Sequence, residues 1–280
     1  GEVRKRVPII NIKKRKTDHE KQQIVLDLVL MDDAMFESMC QSPEFVEELL
    51  QIILNDSKLR IKSETLMAQK SIRNLRGRSI RMDAYVEGQE DNAFNVEVQK
   101  SDNCNHVKRV RYNASLITAQ RTEPGDTFED VQSLCMIYIS EKDIFHKQRT
   151  LYHVQNTIIE TGNLVDNGLK EIYVNTEAQD NTKVAALMGL FHKKELDNLD
   201  KKLFPNTYTQ FTKLKNDNRE VARMCDKIQN YAKKEAIYNV IEVLDRNGFS
   251  KKKIIKATMD QFHITTEEAE SYYDDVFITK

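Results

Sequence analysis

The chain of 280 residues is 40% hydrophobic and 31% charged with a formal net charge of -1, which supports a sizeable core and excludes a globally basic nucleic-acid binder. No apolar run approaches the roughly 18 to 20 residues of a membrane span and no secretory segment leads the chain, so the expected setting is the cytoplasm, with no membrane partner. With only 8 Gly and 4 Pro, long flexible linkers are not expected. Residues 1–23 form a basic arm, with Arg4, Lys5, Arg6, Lys13, Lys14, Arg15, Lys16 and Lys21. Two helices follow near 32–40 and 43–55, the second opened by Ser42 as a cap and Pro43 at the first helical position.

Between residues 65 and 99 the spacing changes to the strand period of two. Ile80, Met82, Ala84 and Val86 alternate with Arg81, Asp83 and Tyr85, and Phe94, Val96 and Val98 alternate with Asn95, Glu97 and Gln99. The intervening Glu-Gly-Gln-Glu-Asp-Asn suits a hairpin, which sets Asp83 across from Glu97, with Gln99 on the same face. Two carboxylates held close on a half-buried sheet repel and lose water, so both stay ionised only beside a cation or several donors. A divalent metal is the economical solution, although the same pattern also describes the solvated face of an ordinary hairpin.

A helix over 104–121 offers Val107, Val110, Ala114, Leu116 and Ile117 inward and provides the crossover that a parallel strand needs. The continuous apolar run of residues 133–139 reads as a strand covered on both faces, at the centre of the sheet. Segments 152–159 and 171–174 read as a strand pair at an edge, and from about 181 the pattern is helical, with breaks expected at 198–206 and at Asn247-Gly248. Cys40, Cys104, Cys135 and Cys225 lie far apart without zinc spacing and read as reduced structural thiols. His106, His146, His153, His192 and His263 show no ligand spacing, and no glycine-rich loop suggests nucleotide binding.

In order, a helix, a hairpin bearing Asp and then Glu-x-Gln, a helix and a central strand resemble a PD-(D/E)xK nuclease core. More narrowly, the chain resembles the recombination-promoting nuclease and putative transposase family. The residues that carry the likeness are Met31-Asp32-Asp33-x-x-Phe36, Arg81-x-Asp83, Asn95-Val96-Glu97-Val98-Gln99, and Arg109-x-Arg111-Tyr112-x-x-Ser115 with Gln120 beyond. The likeness covers about residues 24–175 and continues loosely into the Gly248-Phe-Ser-Lys-Lys-Lys segment.

The resemblance implies an α/β restriction-endonuclease-like core, a central mixed sheet flanked by helices, over 24–180, and a helical C-terminal subdomain over 181–280. It implies Mg²⁺ or Mn²⁺ held by Asp83, Glu97 and the Val98 carbonyl, with Gln99 orienting the attacking water. Arg109, Arg111, Tyr112 and Gln120 become substrate-binding residues, and DNA the expected partner in phosphodiester hydrolysis. Gln99 stands where the general pattern has Lys, and an amide supplies no positive charge, so the competing reading is a nuclease-fold nucleic-acid-binding protein with weakened catalysis. Lys100 points to the other face by the period of two, and Glu47 and Glu48 are weaker candidates for an extra helix carboxylate. The sequence leaves strandedness, endo or exo action, and homo-oligomerisation open.

Overall fold

Short polar caps set many of the helix starts. Before α3 (Pro43–Ile53), Ser42 Oγ accepts from the Phe45 amide at 3.3 Å and Pro43 takes the first helical position, as its fixed φ favours. Before α4 (His106–Gln120), the Asn105 side chain accepts from the Lys108 amide at 3.0 Å. The structure, a computed structural model, describes residues 18–68, 71–72, 80–90, 92–100 and 105–278. Most of the basic arm expected over 1–23 therefore lies outside the described residues, as do Cys104 and parts of the 65–99 region; residues 18–27 form α1 (Asp18–Asp27).

Six strands form the main sheet: β1 (Met67–Ala68), β4 (Ala84–Glu87), β5 (Asn92–Gln99), β6 (Ser133–Ser140), β8 (Leu169–Asn175) and β7 (Leu151–Val154), in that spatial order. β5, β6 and β8 run parallel, while β1–β4, β4–β5 and β7–β8 are antiparallel, so the sheet is mixed. β6 sits inside the sheet with α4 as its crossover from β5, as its unbroken apolar run requires. A separate ribbon pairs β2 (Ser71–Ile72) with β3 (Ile80–Arg81). The edge strand β7 is shorter than its sequence suggests. It ends at Val154, and beyond it the chain pairs locally through Thr157 and Leu164 in a projecting loop.

The segment 80–86 departs from the single strand its alternation predicts. Ile80 and Met82 join the core on the α4 side of the sheet, but Ala84 and Val86 join the core on the opposite side. The phase slips at Met82-Asp83 as the chain passes from the ribbon into the main sheet, and Asp83 sits in a bend rather than in a strand.

The larger core packs Val96, Val98, Ile137, Ile139 and Val174 against α2 (Asp33–Met39), α3, α5 (Lys183–Gly189), α7 (Pro205–Asn216) and the start of α8 (Asn218–Arg246). On the other face α4 buries Val110, Ala114 and Ile117 against Leu134, Met136 and Tyr138. Burying Val110 and Ile117, at roughly 1.5–3 kcal/mol each, is enough to hold α4 in place around the polar Asn113 between them. Val107, expected inward, lies in the first turn and stays 42% exposed.

Helices dominate after residue 182, but the break expected at 198–206 is itself helical: α6 (Asn198–Leu203) and α7 meet at Phe204. The polar residues there start helices rather than separate them, since Asp197 and Asp200 form a capping box and Pro205 opens α7. The break at Asn247-Gly248 does separate α8 from α9 (Lys251–Phe262), with Gly248 at φ 77°, and α10 (Thr266–Ile278) ends the described chain. Ile237, Ile241, Ile254 and Val276 form a third, smaller cluster.

α7 has no cap from its own sequence. Glu48, buried on α3, accepts instead from the Asn206 amide at 3.1 Å, the Thr207 amide at 2.7 Å and the Thr207 hydroxyl at 2.6 Å. Glu48 is thus occupied as a long-range helix cap, and Glu47 accepts from the Ile61 amide at 3.1 Å. Glu48→Ala strands two amides and a hydroxyl, and should cost about 1–3 kcal/mol in a denaturant titration. An unchanged midpoint would show that water replaces the carboxylate without loss.

Candidate active site

Antiparallel pairing of Ala84 with Val96 extends by one step to Asp83 opposite Glu97, and parallel pairing sets Tyr138 beside Glu97 on the other flank. Glu97 is therefore hemmed in on both sides and covered by α4, leaving 2% of it exposed. An isolated charge at such depth is costly, so the groups around it decide what it can do. Its Oε1 accepts from Asn95 Nδ2 at 3.0 Å and from Asn113 Nδ2 at 2.7 Å. Its Oε2 is buried with no hydrogen bond, with Arg109 Nε at 3.6 Å as ion-pair partner. Asn95 Oδ1 is likewise buried without a donor, so acceptors outnumber donors here.

Asp83 reaches the same place from the bend before β4, its Oδ2 accepting from the Val98 amide at 2.8 Å. Burial pushes its carboxyl from 3.8 up to about 7, against the Val98 amide and Arg81, which pull it down; the charges of Glu97 and Asp33 push it further up. Loss of water also raises the Asp33 carboxyl at the first turn of α2, while Arg81, Lys100 and Arg109 act to lower it. Gln99 Oε1 accepts from Arg109 Nη1 at 2.7 Å, which links the third residue of the Glu-x-Gln triplet to α4. Lys100 turns away and pairs with Asp32 at 2.7 Å.

Of the expected site residues, Asp83, Glu97, Val98, Gln99 and Arg109 are joined by these contacts. Arg111 is exposed on the outer side of α4, and Tyr112 is half-buried against the α4-side core. Gln120 is exposed at the last position of α4, eleven residues past Arg109 and so about 16 Å along the helix. Asn95 and Asp33 belong to the motifs that carry the family likeness but have no site role from sequence, and Asn113 has neither. Asn113 carried a usable signal, because an asparagine on the buried stripe between Val110 and Ile117 must find partners inside.

Arg81 ties the site to the C-terminal helices. Its Nη2 donates to the Tyr231 hydroxyl of α8 at 3.0 Å, and its guanidinium lies 5.3 Å from the centre of that ring. Tyr231 donates in turn to Glu37 of α2, whose other oxygen pairs with Lys227 at 2.8 Å.

Among the described residues no group of three or more His, Cys, Asp or Glu side chains is gathered as a metal cluster. Two carboxylates with surplus acceptor oxygens nevertheless fit a hard divalent ion, since Mg²⁺ commonly takes one or two carboxylates and keeps several waters. The unbonded Glu97 Oε2 and the repulsion between the two acids are what such an ion would relieve.

A mixed sheet wrapped in helices, with acids converging at the carboxyl ends of parallel strands, defines a restriction-endonuclease-like nuclease fold. A family model described as PD-(D/E)XK nuclease family transposase matches residues 33–261, and the chain belongs to that family. Its nucleases hydrolyse phosphodiester bonds and generally use divalent metal ions. Comparison with curated proteins and with solved structures gave no match. Among the described residues no helix is long and apolar enough to cross a membrane.

The Asp83 carboxyl sits at 3.8 in the unfolded chain and near 7 in the fold, so the folded protein holds this proton more tightly. Its contribution to stability is then full below about pH 4 and is lost as pH rises through 7. In metal-free protein, Asp83→Asn should gain stability relative to wild type between pH 5.5 and pH 8 in paired denaturant titrations. A gap that stays constant over that range would place Asp83 in a solvated setting.

Proposed function

We propose that the protein is a metal-dependent nuclease acting on DNA, with Mg²⁺ or Mn²⁺ held by Asp83, Glu97 and the Val98 carbonyl. The observation that carries this reading is Glu97 Oε2, a buried carboxylate oxygen with no hydrogen bond, beside a second acid that burial and repulsion keep protonated up to about pH 7. When bound, such an ion activates water as the nucleophile and neutralises charge that develops on the phosphate.

The chain's own residues supply the rest. Asn95 and Asn113 orient Glu97, and the Val98 amide orients Asp83. The Gln99 amide positions water in line with the scissile phosphorus, and Arg109 and Arg111 draw the phosphate backbone towards the sheet end by charge, independent of base sequence. Tyr112 and Gln120 extend that surface along α4. The arm over 1–23, the nuclease-like domain over 24–180 and the helical subdomain over 181–280 belong to the same proposal, as does cytoplasmic action.

Plasmid and single-stranded DNA incubated with Mg²⁺ should be cut by wild type. Asp83→Ala and Glu97→Ala should each lower the rate at least about 100-fold, because even partners outside a ligand set cost roughly 10- to 100-fold. Cleavage that survives both changes would remove the site. One observation favours the binding-protein reading: Gln99 is neutral and its oxygen is occupied by Arg109. Calorimetry that finds DNA and metal bound by a protein that never cleaves would decide for it.

A further inference from the structure

Glu97 is served unequally. Both amide donors converge on Oε1, which leaves Oε2 as the oxygen open to a cation, and the group nearest that role is the Arg109 guanidinium at 3.6 Å. That distance is too long for a hydrogen bond and short enough for strong attraction across a water-poor gap. The same guanidinium donates to Gln99 Oε1 at 2.7 Å, so one side chain holds two members of the Glu-x-Gln triplet. Arg109 is also the more accessible partner: its side chain is 33% exposed on the first turns of α4, whereas that of Glu97 is 2% exposed between paired strands.

We propose that Arg109 is the exchangeable counter-ion of Glu97, neutralising the buried carboxylate until a divalent cation takes Oε2 and then moving to a substrate phosphate. This rests on the metal site proposed above. A carboxylate this deep is stabilised by a positive charge beside it, because an uncompensated buried charge is strongly destabilising. A guanidinium and a divalent ion cannot share one oxygen without repulsion, so loading of the cation drives Arg109 outward. Its fork of donors suits a phosphate, which the exposed end of α4 can meet. Departure also frees Gln99 Oε1 to accept from water, so the amide that positions the nucleophile is released only once the cation is in place. The neutral Gln99 is thereby accounted for: a lysine there would bring a second permanent cation against Arg109.

The test is a Mn²⁺ titration of the full chain by calorimetry, with and without a short phosphorothioate duplex that resists cleavage, on wild type, Arg109→Met, Arg109→Gln, Arg109→Lys and Glu97→Gln. Thermal melts identify any variant that fails to fold, and two neutral replacements at 109 guard against losing one. The neutral variants should bind Mn²⁺ roughly fivefold more tightly than wild type or better, with Arg109→Lys close to wild type. The duplex should tighten Mn²⁺ binding to wild type clearly more than to the neutral variants, because only wild type has an Arg109 for the phosphate to draw off. If the neutral variants bind Mn²⁺ no more tightly than wild type while Glu97→Gln abolishes binding, the metal site stands and the exchange is overturned. If Glu97→Gln binds as wild type does, the site and the exchange fall together.

Discussion

The burial of one charge organises this molecule. Glu97 lies in a strand paired on both sides and roofed by a helix, where a carboxylate is tolerated only with donors and a countercharge close by. That requirement explains why α4 carries an asparagine in its apolar stripe, why an arginine stands one turn before it, and why Asn95 precedes Glu97 on the same strand face. None of these polar residues improves the packing of the sheet. Their arrangement makes sense as the support of an acid that the fold keeps dry and incompletely satisfied.

The fold brings this about with ordinary means. Parallel pairing of β5 with β6 demands a crossover, and the crossover helix returns over the strand it has just left, so residues early in α4 meet residues late in β5. The acid, the amides and the guanidinium come from only two adjacent elements and need no distant assembly. Asp83 alone arrives from elsewhere, through the phase slip that takes the chain out of the small ribbon. Had the alternation run through without a break, Met82 and Ala84 would share a face and the turn that presents Asp83 would be absent.

Much of this was legible in the sequence, for reasons that are physical. The apolar run at 133–139 could only be a strand covered on both sides, and Ser42-Pro43 marked a helix start because both residues satisfy or dispense with orphan amides. The face shared by Glu97 and Gln99 followed from the strand period alone. Long-range satisfaction of polar groups leaves no such local mark. Glu48 is, from sequence, only a weaker candidate for an extra helix carboxylate, whereas in the fold it caps α7; Asn113 carries no sequence reading, whereas in the fold it donates to Glu97. The polar stretch at 198–206 reads as a gap by composition, although an Asp-x-x-Asp box and a proline are how helices begin. For Glu48 and Asn113 the partner lies many residues away, and local pattern carries no record of it.

The length of α8 carries a consequence of its own. Its 29 residues span about 44 Å, with Val221, Met224 and Cys225 rooted in the main core, Tyr231 beneath Arg81, and Ile237 and Ile241 in the separate terminal cluster. No glycine or proline interrupts it, so it acts as a stiff rod with the Arg81 contact near its midpoint. One unbroken backbone ladder therefore carries both the tyrosine beside Arg81 and the isoleucines of the terminal cluster, so the arginine next to Asp83 and the last helices share a single element.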